Sequence, residues 1–345
     1  MRTLRWEDAS VILINQRKLP EKLEYVECHD LQQVAQAIKT LEIRGAPAIG
    51  VAAAMALALT AHNSKARTPK ELLSELQRGA ETIRHTRPTA WNLFWAADRV
   101  MGAAHSFKGD VKELKEAIVA HAQAIAEEDI AINKQVGVHG AVLIENHDVV
   151  GTICNAGWLA TAGEYGTALG VVKVAREQGK HVSVVALETR PVLQGARLTA
   201  WELQQDGIPV RMIVDSALGY CLLRGMVNKM VVGADRIVVE DGCYVFNKIG
   251  TYMAAIAARR HNVPFYVAAP FSTFDFSSRL NEVVVEERDP SEVTHLGGKQ
   301  IAAEGVDAFN PAFDVTPPSL VDAFITERGV FYPPFRENAL RFAEA

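Results

Sequence analysis

The chain has 345 residues, of which 49% are hydrophobic and 22% charged, so it is long enough and apolar enough to bury one or two hydrophobic cores. Its formal net charge is −5 and its 36 basic residues form no arm or stripe, which argues against nucleic acid as a partner. The four cysteines include no CxxC pair and no spacing typical of metal ligands, as expected for free thiols in a reducing cytoplasm without a bound metal.

The first 27 residues predict a short antiparallel sheet. Brief apolar runs alternate with polar residues over positions 3–27, and Lys18-Leu-Pro-Glu-Lys22 interrupts them as a turn. No apolar core of a signal peptide follows the first residues, so we expect the protein to stay in the cytoplasm.

Helical patterns follow this sheet. Apolar residues recur at helical spacing behind Asp30, and Thr68 begins a capping box with proline at the first helical position. The apolar stretch 46–59 is shorter than a bilayer span and rich in alanine, which favours a packed internal helix and no membrane partner. A long helix at about 110–137 completes a mostly helical N-terminal domain, which we place at residues 1–140.

Two turns within this helical region each present an arginine. Arg44-Gly-Ala-Pro-Ala-Ile-Gly50 leads into the alanine-rich helix, and Arg87-Pro-Thr-Ala-Trp-Asn92 lies further along the chain. The two arginines could form ion pairs at the surface or between domains, or they could bind an anion. Their place in turns beside glycine and proline favours the anion only slightly.

From about residue 147 the pattern changes to a strict alternation of strands and helices. This alternation predicts a Rossmann-like, doubly wound parallel sheet, which we assign to a catalytic domain at residues 141–345. The fold class is therefore α/β. The strands are expected near residues 149–154, 181–187, 208–214, 229–234 and 263–269.

Polar side chains follow the predicted strands of the second domain. Because the carboxyl ends of parallel strands lie at one edge of a sheet, these side chains should converge on one crevice. The set contains one thiol, several carboxylates and a glutamine: Cys154 and Asn155, Glu188 and Gln194, Asp215, Asp235, and Asp275.

Two of these residues have a simpler interpretation that the sequence leaves open. Cys154 sits at the end of a predicted strand, where a free cysteine is often only a small buried hydrophobe and not a nucleophile. Asp235 follows small and apolar residues, so it is either a carboxylate with a raised pKa at the floor of the crevice or an ion-pair partner of Arg236.

The motifs taken together resemble the methylthioribose-1-phosphate isomerase family. That fold is shared with ribose-1,5-bisphosphate isomerases and with non-catalytic regulatory subunits of the eukaryotic translation-initiation nucleotide exchange factor. The matching motifs, in chain order, are Arg44-Gly-Ala-Pro-Ala-Ile-Gly50, Arg87-Pro-Thr-Ala-Trp-Asn-Leu93, Cys154-Asn-Ala-Gly-Trp-Leu-Ala-Thr-Ala162, Glu188-Thr-Arg-Pro-Val-Leu-Gln194 with Gly195-Ala-Arg-Leu-Thr-Ala-Trp-Glu202, Val232-Gly-Ala-Asp-Arg-Ile237, Asn247-Lys-Ile-Gly-Thr-Tyr252 and Asn310-Pro-Ala-Phe-Asp-Val-Thr-Pro317.

The resemblance implies an isomerase of methionine salvage that converts 5-methylthioribose 1-phosphate to 5-methylthioribulose 1-phosphate. Phosphate on C1 locks the sugar ring, so the enzyme itself must open it. By resemblance, Asp235 would donate a proton, most simply to the ring oxygen. Cys154 would assist hydrogen movement from C2 to C1, either as a thiolate base through an enediol or by stabilising a hydride shift.

The resemblance also implies the residues that anchor the phosphate and hydroxyl groups. Arginine side chains and a helix start, expected where Asn247 and Lys248 open the next helix, suit a dianion. With anchors from both domains, the substrate is expected to lie between them. The enzyme is expected to be a homodimer without a cofactor or metal. The implied anchors are Arg44, Gly45, Ala46, Arg87, Gln194, Asn247 and Lys248.

The sequence departs from the family pattern around the expected site, which leaves the C5 substituent open. Glu164 is an extra residue, Trp158 stands where a small residue is common, Leu187 replaces a polar residue, and the segment 238–246 is long and aromatic. Our hypothesis is that Trp158 or Tyr244 reduces the C5 pocket. A 5-deoxyribose 1-phosphate isomerase is therefore an alternative, and a non-catalytic regulatory protein of the same fold is another.

Overall fold

The computed structural model describes residues 1–344, and the chain divides into two compact units. The first unit comprises Met1–Gln135 and Gly157–Gly166, and the second comprises Val136–Ala156 and the chain from Thr167 onward. The domain boundary at residue 140 stays a prediction, and the compact units differ from it by assigning residues 136–140 to the second unit and residues 157–166 to the first.

The first unit begins with a three-stranded antiparallel sheet in the order β1-β2-β3. Leu4 pairs with Leu13 and Val11 pairs with Cys28, and all four side chains are buried, so the apolar residues of the alternating pattern face one core. The strands are β1 (Leu4–Glu7), β2 (Ser10–Ile14) and β3 (Tyr25–Cys28).

Five helices follow the sheet, and two begin as the sequence predicts. The Asp30 carboxylate accepts the Gln33 backbone N–H, and the Thr68 hydroxyl accepts the Glu71 N–H, which satisfies exposed donors of each first turn. The helices are α1 (Leu31–Lys39), α2 (Ala46–Asn63), α3 (Pro69–Arg84), α4 (Trp91–Ser106) and α5 (Val111–Ala141), whose end belongs to the second unit.

Helix α2 is the central helix of the first unit. It has 18 residues, four more than the apolar stretch 46–59, and by length and composition alone it could cross a membrane. However, 72% of it is buried inside the protein, and core helices of soluble proteins pass the same test. Its alanine-rich surface is packed against α4 and α3.

Residues 157–166 are held in the first unit by hydrogen bonds to its sheet and to α5. The Ala162 carbonyl accepts the Thr3 N–H at 2.9 Å, and the Ala162 N–H donates to the Asp129 carboxylate at 2.7 Å. The Thr3 hydroxyl donates to the Trp158 carbonyl at 2.5 Å. Burial raises the pKa of the Asp129 carboxyl to about 7, against the lowering effect of the Ala162 and Asn133 hydrogen bonds.

The second unit is built on a seven-stranded sheet, a four-stranded sheet and a two-stranded hairpin. Each of the five strands predicted for this half is present and shorter than predicted. The strands are β4 (Val149–Thr152), β5 (Ser183–Leu187), β6 (Val210–Ile213), β7 (Lys229–Val232), β8 (Arg236–Val238), β9 (Tyr244–Lys248), β10 (Phe265–Ala268), β11 (Phe274–Asp275), β12 (His295–Leu296), β13 (Lys299–Gln300), β14 (Phe313–Thr316), β15 (Ala323–Thr326) and β16 (Gly329–Phe331).

The large sheet has the order β16-β15-β10-β7-β4-β5-β6. All its neighbours pair in parallel except β16, which is antiparallel to β15. A mixed α/β fold with a largely parallel sheet is therefore confirmed. The chain runs outward from β4 through β5 to β6 and then returns to β7 on the other side of β4.

A second, four-stranded sheet in the order β11-β8-β9-β14 was not predicted, nor were β15 and β16. Its strand β9 carries Asn247 and Lys248, which the sequence placed at the opening of a helix. The helices of the unit are α6 (Ala168–Glu177), α7 (Ala200–Gln205) after a π-helical turn at Gly195–Thr199, α8 (Leu218–Leu223), α9 (Thr251–Arg260), α10 (Ser291–Thr294) and α11 (Phe335–Glu344).

Candidate active site

The strand order of the large sheet reverses between β4 and β7. From β4 the chain continues to β5 on one side, and from β7 it continues to β10 on the other side. In open α/β sheets a crevice lies outside such a point, because neighbouring connections turn away to opposite faces. Cys154 follows β4 by two residues, and Asp235 follows β7 by three. A Cβ atom at Gly233 would lie 2.9 Å from the Ala156 Cβ, so the two loops are in contact.

Cys154 has a left-handed backbone conformation, with φ of 66°. A residue with a Cβ atom is uncommon there and adopts it only where its surroundings hold it. The Cys154 N–H donates to the Thr189 hydroxyl at 2.8 Å, and the Cys154 carbonyl accepts the Thr199 hydroxyl at 2.7 Å. Both sides of the peptide are therefore clamped while the side chain stays half-buried.

Thr189, which binds the Cys154 backbone, is itself fixed by Asp215. The Asp215 carboxylate accepts the Thr189 N–H at 2.8 Å and the Arg190 N–H at 2.7 Å. Asp215 follows β6 and Thr189 follows β5, so two further strand ends support the Cys154 loop. Polar residues at the ends of β5 and β6 therefore lie together as predicted, and Asp215 contributes by accepting backbone N–H groups.

Gln194 lies directly before the π-helical turn that leads into α7. Its side chain is buried, and its Oε1 has no hydrogen-bond partner within the described residues. A buried amide oxygen without a partner is costly unless a ligand or water supplies a donor. The next residue, Gly195, must be glycine because a Cβ there would lie 1.6 Å from the Leu187 carbonyl oxygen.

Asn155 has a supporting place next to Cys154. Its buried Nδ2 donates to the Glu202 carboxylate at 3.1 Å and to the Thr199 hydroxyl at 3.3 Å. Glu202 is 1% exposed and lies on α7. The start of the Cys154 loop is thus tied to α7 as well as to Thr189.

Asp235 is half-buried and its N–H donates to the Phe246 carbonyl at 2.9 Å, which joins it to β9. The neighbouring Arg236 guanidinium binds the Asp275 carboxylate and the Ser278 hydroxyl. Burial alone would raise the pKa of Asp275, but hydrogen bonds from Ser277 and Arg236 outweigh it and lower the pKa to about 2. Arg236 therefore has a permanently charged partner on β11.

Lys248 connects the two candidate catalytic residues electrostatically. It is 4% exposed, and this burial lowers the pKa of its ammonium group. The charges of Cys154 and Asp235 act in the opposite direction, and the Arg288 guanidinium acts with burial. The end of β9 therefore brings a buried cation within electrostatic reach of both Cys154 and Asp235.

The expectation that a helix start at Asn247 and Lys248 binds an anion is wrong in its placement. Both residues are buried on strand β9, and the Asn247 amide donates to the Thr251 hydroxyl at 3.0 Å. Helix α9 begins at Thr251, and the Asp314 carboxylate accepts the Gly250 N–H at 2.7 Å and the Tyr252 N–H at 3.1 Å. A carboxylate of the chain therefore already sits at this helix start.

In the first unit, Arg44, Gly45 and Ala46 form the start of α2. Gly45 is the N-cap with φ of 100°, and no side chain caps the helix there. A Cβ at Gly45 would lie 2.5 Å from the Ala160 Cα, so only glycine fits against residues 157–166. Arg44 is 7% exposed. An arginine beside the open N-terminus of an 18-residue helix is a favourable environment for an anion.

Arg87 lies in the turn before α4, on the same unit. Helices α2 and α4 pack so closely that a Cβ at Gly50 would lie 2.9 Å from the Asn92 carbonyl oxygen. The start of α4 therefore lies beside the first turns of α2. Arg87 is half-buried, and the structure brings its turn to the same end of the unit as Arg44.

Several residues that build the site were not singled out from the sequence. Thr189, Thr199 and Glu202 lie in the matched motif 188–202, but nothing in their spacing indicated bonds to Cys154 and Asn155. Asp314 lies in the motif 310–317, and its role at α9 depends on the pairing of β9 with β14, where Asp314 faces Asn247. Among residues 1–344 no three His, Cys, Asp or Glu side chains are grouped to hold a metal ion.

Trp158 and Tyr244, which were expected near the C5 pocket, lie in different surroundings. Trp158 is 2% exposed within the first unit. Tyr244 begins β9 four residues before Lys248, which is about 13 Å along an extended strand. The hypothesis that either narrows a C5 pocket stays a prediction.

Sequence comparisons match the chain over nearly its whole length. The sequence model of the Initiation factor 2 subunit family matches residues 42–333. The methylthioribose-1-phosphate isomerase of Desulforamulus reducens is 52% identical over 98% of this chain and 97% of its own, and that of Chloroflexus aurantiacus is 51% identical over 97% and 96%.

Solved structures with the same fold carry two kinds of name. The 5-methylthioribose 1-phosphate isomerase of Pyrococcus horikoshii superposes with a TM-score of 0.91 at 43% identity, covering 99% of this chain and 96% of its own. The delta subunit of translation initiation factor eIF-2B from A. fulgidus superposes with a TM-score of 0.88 at 48% identity, covering 100% of both chains.

Proposed function

The chain belongs to the Initiation factor 2 subunit family, and from its similarity to methylthioribose-1-phosphate isomerases over nearly its full length we propose that it is an aldose–ketose isomerase acting on 5-methylthioribose 1-phosphate. The product is 5-methylthioribulose 1-phosphate, and the reaction is a step of methionine salvage. The observation that carries the proposal at the site is that the Cys154 and Asp235 loops touch beside the buried cation of Lys248.

The substrate sets a specific chemical problem. Its anomeric oxygen carries phosphate, so the ring cannot open to a free aldehyde without help. In our proposal Asp235 in its acid form protonates the ring oxygen as the C1–O bond to the ring breaks. A carboxyl group that works as an acid near neutral pH needs a pKa well above ~3.9.

Hydrogen must then move from C2 to C1. We assign this step to Cys154, and its backbone supports the assignment because hydrogen bonds on both sides fix the direction of the Cα–Cβ bond. As a thiolate it either removes the C2 proton to give an enediol or stabilises the charge of a hydride shift. The buried Lys248 cation favours the thiolate in both routes.

The anchors of the substrate are proposed from two groups of residues. In the first unit, Arg44, Gly45 and Ala46 offer a guanidinium and an open helix start for the phosphate, and Arg87 adds a second guanidinium. In the second unit, the orphan amide oxygen of Gln194 suits a sugar hydroxyl. Asn247 and Lys248 complete the set.

Three broader features belong to the same proposal. The strand order, which reverses at β4, supports a Rossmann-like, doubly wound sheet. The protein is proposed to work in the cytoplasm, where its four cysteines are free thiols. It needs no cofactor in this reaction, because C2 is oxidised while C1 of the same sugar is reduced.

We further propose a homodimer formed through the second unit. Helices α8 and α9 are in contact and together expose large apolar side chains: Tyr220 and Leu223 on α8, and Tyr252, Met253 and Ile256 on α9. Met253 is 73% exposed and Leu223 is 67% exposed. A contiguous apolar surface of this kind usually marks a protein interface, and soluble homo-oligomers are most often twofold.

The competing class is a regulatory protein without catalytic activity. The A. fulgidus structure is named as the delta subunit of translation initiation factor eIF-2B. The fold alone cannot decide between an isomerase and a regulatory protein, because one fold supports several functions. The presence of both Cys154 and Asp235 in contacting loops favours the enzyme.

The test is an isomerisation assay with purified protein in D₂O, read by NMR. Methylthioribose 1-phosphate and 5-deoxyribose 1-phosphate are offered separately. We expect kcat/KM for the methylthio sugar to be higher by tenfold or more. Deuterium at C1 of the product would support the enediol route.

A preference for 5-deoxyribose 1-phosphate would replace the proposed substrate and keep the reaction class. Turnover of neither sugar would refute the isomerase and favour the regulatory class. Trp158→Ala, compared with wild type for the two sugars, tests the pocket hypothesis. An unchanged ratio of kcat/KM would remove Trp158 from it.

A further inference from the structure

Gln16 is a buried glutamine two residues after β2 in the first unit, only 1% exposed. Its backbone N–H donates to the Glu42 carbonyl at 2.9 Å. Its side-chain Nε2 donates to the Leu159 carbonyl at 2.7 Å, and its Oε1 accepts the Arg44 Nε at 3.2 Å. One residue therefore bonds to the segment before Arg44, to Arg44 itself and to residues 157–166.

The donor and acceptor roles of these partners determine which side of the Gln16 amide faces each of them. A backbone carbonyl can only accept a hydrogen bond, and the Nε of a guanidinium can only donate one. The amide must therefore point its NH₂ at Leu159 and its oxygen at Arg44. A carboxylate would offer no donor to Leu159, and an aliphatic side chain of the same length would bond to neither.

The bond to Arg44 constrains a long and flexible side chain. An arginine that forms a fork with a phosphate must otherwise lose rotamer freedom on binding, which weakens affinity. Nε is the guanidinium nitrogen nearest the aliphatic stem, so a bond there fixes the plane of the group. The Leu159 bond in turn keeps the Gln16 amide from rotating.

We propose that Gln16 is a positioning residue that holds the Arg44 guanidinium in its substrate-binding orientation through the relay from Leu159 to Gln16 to Arg44. This inference rests on the proposed function, in which Arg44 binds the substrate phosphate. Gln16 itself touches no reacting atom. Its effect should therefore appear in substrate affinity and not in the chemical step.

The test compares Gln16→Met, which keeps the length of the side chain and removes both bonds, with wild type. We expect KM for methylthioribose 1-phosphate to rise roughly tenfold, the scale of one hydrogen bond to a charged group, while kcat changes less than threefold. Gln16→Asn, which keeps the amide but is one methylene too short to span both partners, should act in the same direction. Gln16→Asn also provides the test if Gln16→Met does not fold.

Thr3→Val is the matched control, because it removes another side-chain bond to the same segment, that of Thr3 to the Trp158 carbonyl, without touching Arg44. Its KM should stay within twofold of wild type. In an Arg44→Ala background, adding Gln16→Met should change KM by less than twofold, since the group that Gln16 positions is gone.

Equal KM increases in Thr3→Val and Gln16→Met, or a full tenfold effect of Gln16→Met without Arg44, would overturn the relay. If wild type turns over neither sugar, the proposed function fails separately. The Kd of inorganic phosphate, measured by calorimetry on the same five variants and wild type, then tests the relay. An unchanged phosphate Kd in Gln16→Met would refute it.

Discussion

At the scale of single residues, the site depends on backbone conformations that few side chains tolerate. Cys154 is left-handed at φ of 66°, and Thr189, whose hydroxyl binds it, is left-handed at 65°. Each such residue costs on the order of 1 kcal/mol, which the clamps from Thr199 and Asp215 must offset. The position of the thiol is thus an outcome of several strand ends acting together.

The catalytic assignment predicts a loss of turnover without a loss of fold. Cys154→Ala and Asp235→Asn should each lower kcat by about 10²-fold or more, the usual scale for a lost acid or base. Circular dichroism and steady-state kinetics measure the two effects. Cys28→Ala, in the first unit, and Asp307→Asn, at an exposed site, are the controls and should keep near-normal kcat. Near-normal turnover in either site variant would remove that residue from the mechanism.

A second prediction concerns Gly195. A methyl group there would lie 1.6 Å from the Leu187 carbonyl oxygen, so Gly195→Ala must displace the turn before α7. We expect a loss of roughly 2–4 kcal/mol in the free energy of unfolding, as for other overpacked sites. Urea unfolding measures it.

Gly102→Ala on α4 is the matched control for Gly195→Ala. A Cβ at Gly102 meets nothing within 4 Å, so alanine should stabilise the helix by about 0.5–1 kcal/mol. Equal free energies of unfolding for the two variants would show that the segment after β5 accommodates a methyl group without cost.

At the scale of elements, the sequence predicts strands and helices whose apolar pattern extends over several residues, and it misses strands of only two or three residues. Five of the six parallel strands of the large sheet follow apolar runs bounded by turns and were predicted, whereas β15 was missed. Strands β8 and β11 have three and two residues, too short to show a period of two, and the second sheet was missed. Without that sheet, Lys248 was placed at a helix start and Asp314 had no role.

The candidate site was predictable to the same extent. Strand ends identify Cys154 and Asp235, because position in a parallel sheet fixes where they lie. Gln16 has no such signal, since its partners Arg44 and Leu159 are distant in sequence and its role depends on tertiary contacts. The motifs indicate which residues matter, and only the fold indicates what each one touches.

The link between α5 and residues 157–166 predicts a pH dependence of stability. Burial raises the pKa of Asp129 to about 7, well above the 3.8 of an ordinary aspartate. Between these two values the folded protein keeps a proton that the unfolded chain has released, so the Asp129 contribution to the free energy of unfolding falls as pH rises. Above pH 7 this contribution is fully lost.

Asp129→Asn isolates the effect, because asparagine cannot titrate and still offers an oxygen to the Ala162 N–H. Urea unfolding of both proteins at pH 5 and pH 7.5 gives the comparison. The stability of wild type relative to Asp129→Asn should fall by roughly 2–4 kcal/mol between the two pH values. A constant difference would mean that Asp129 is ionised throughout.

At the scale of the whole molecule, the apolar face of α8 and α9 predicts the oligomeric state. Met253→Glu places a charge on that face, on a side chain that is 73% exposed, so the subunit itself should fold normally. Light scattering after size exclusion should show a dimer for wild type and a monomer for Met253→Glu at micromolar concentration. Val142→Glu, 76% exposed on the loop after α5, should remain dimeric. A dimeric Met253→Glu protein would place the interface elsewhere.

The division of the chain has a further consequence for how this protein can be cut or recombined. The polypeptide changes unit three times, after Gln135, after Ala156 and after Gly166. A fragment that ends at Gln135 lacks residues 157–166, whose backbone supplies partners for Thr3, Gln16 and Asp129. A single break point therefore yields no complete half, and exchanging one unit between relatives requires a donor gene to supply two separate stretches of sequence at once.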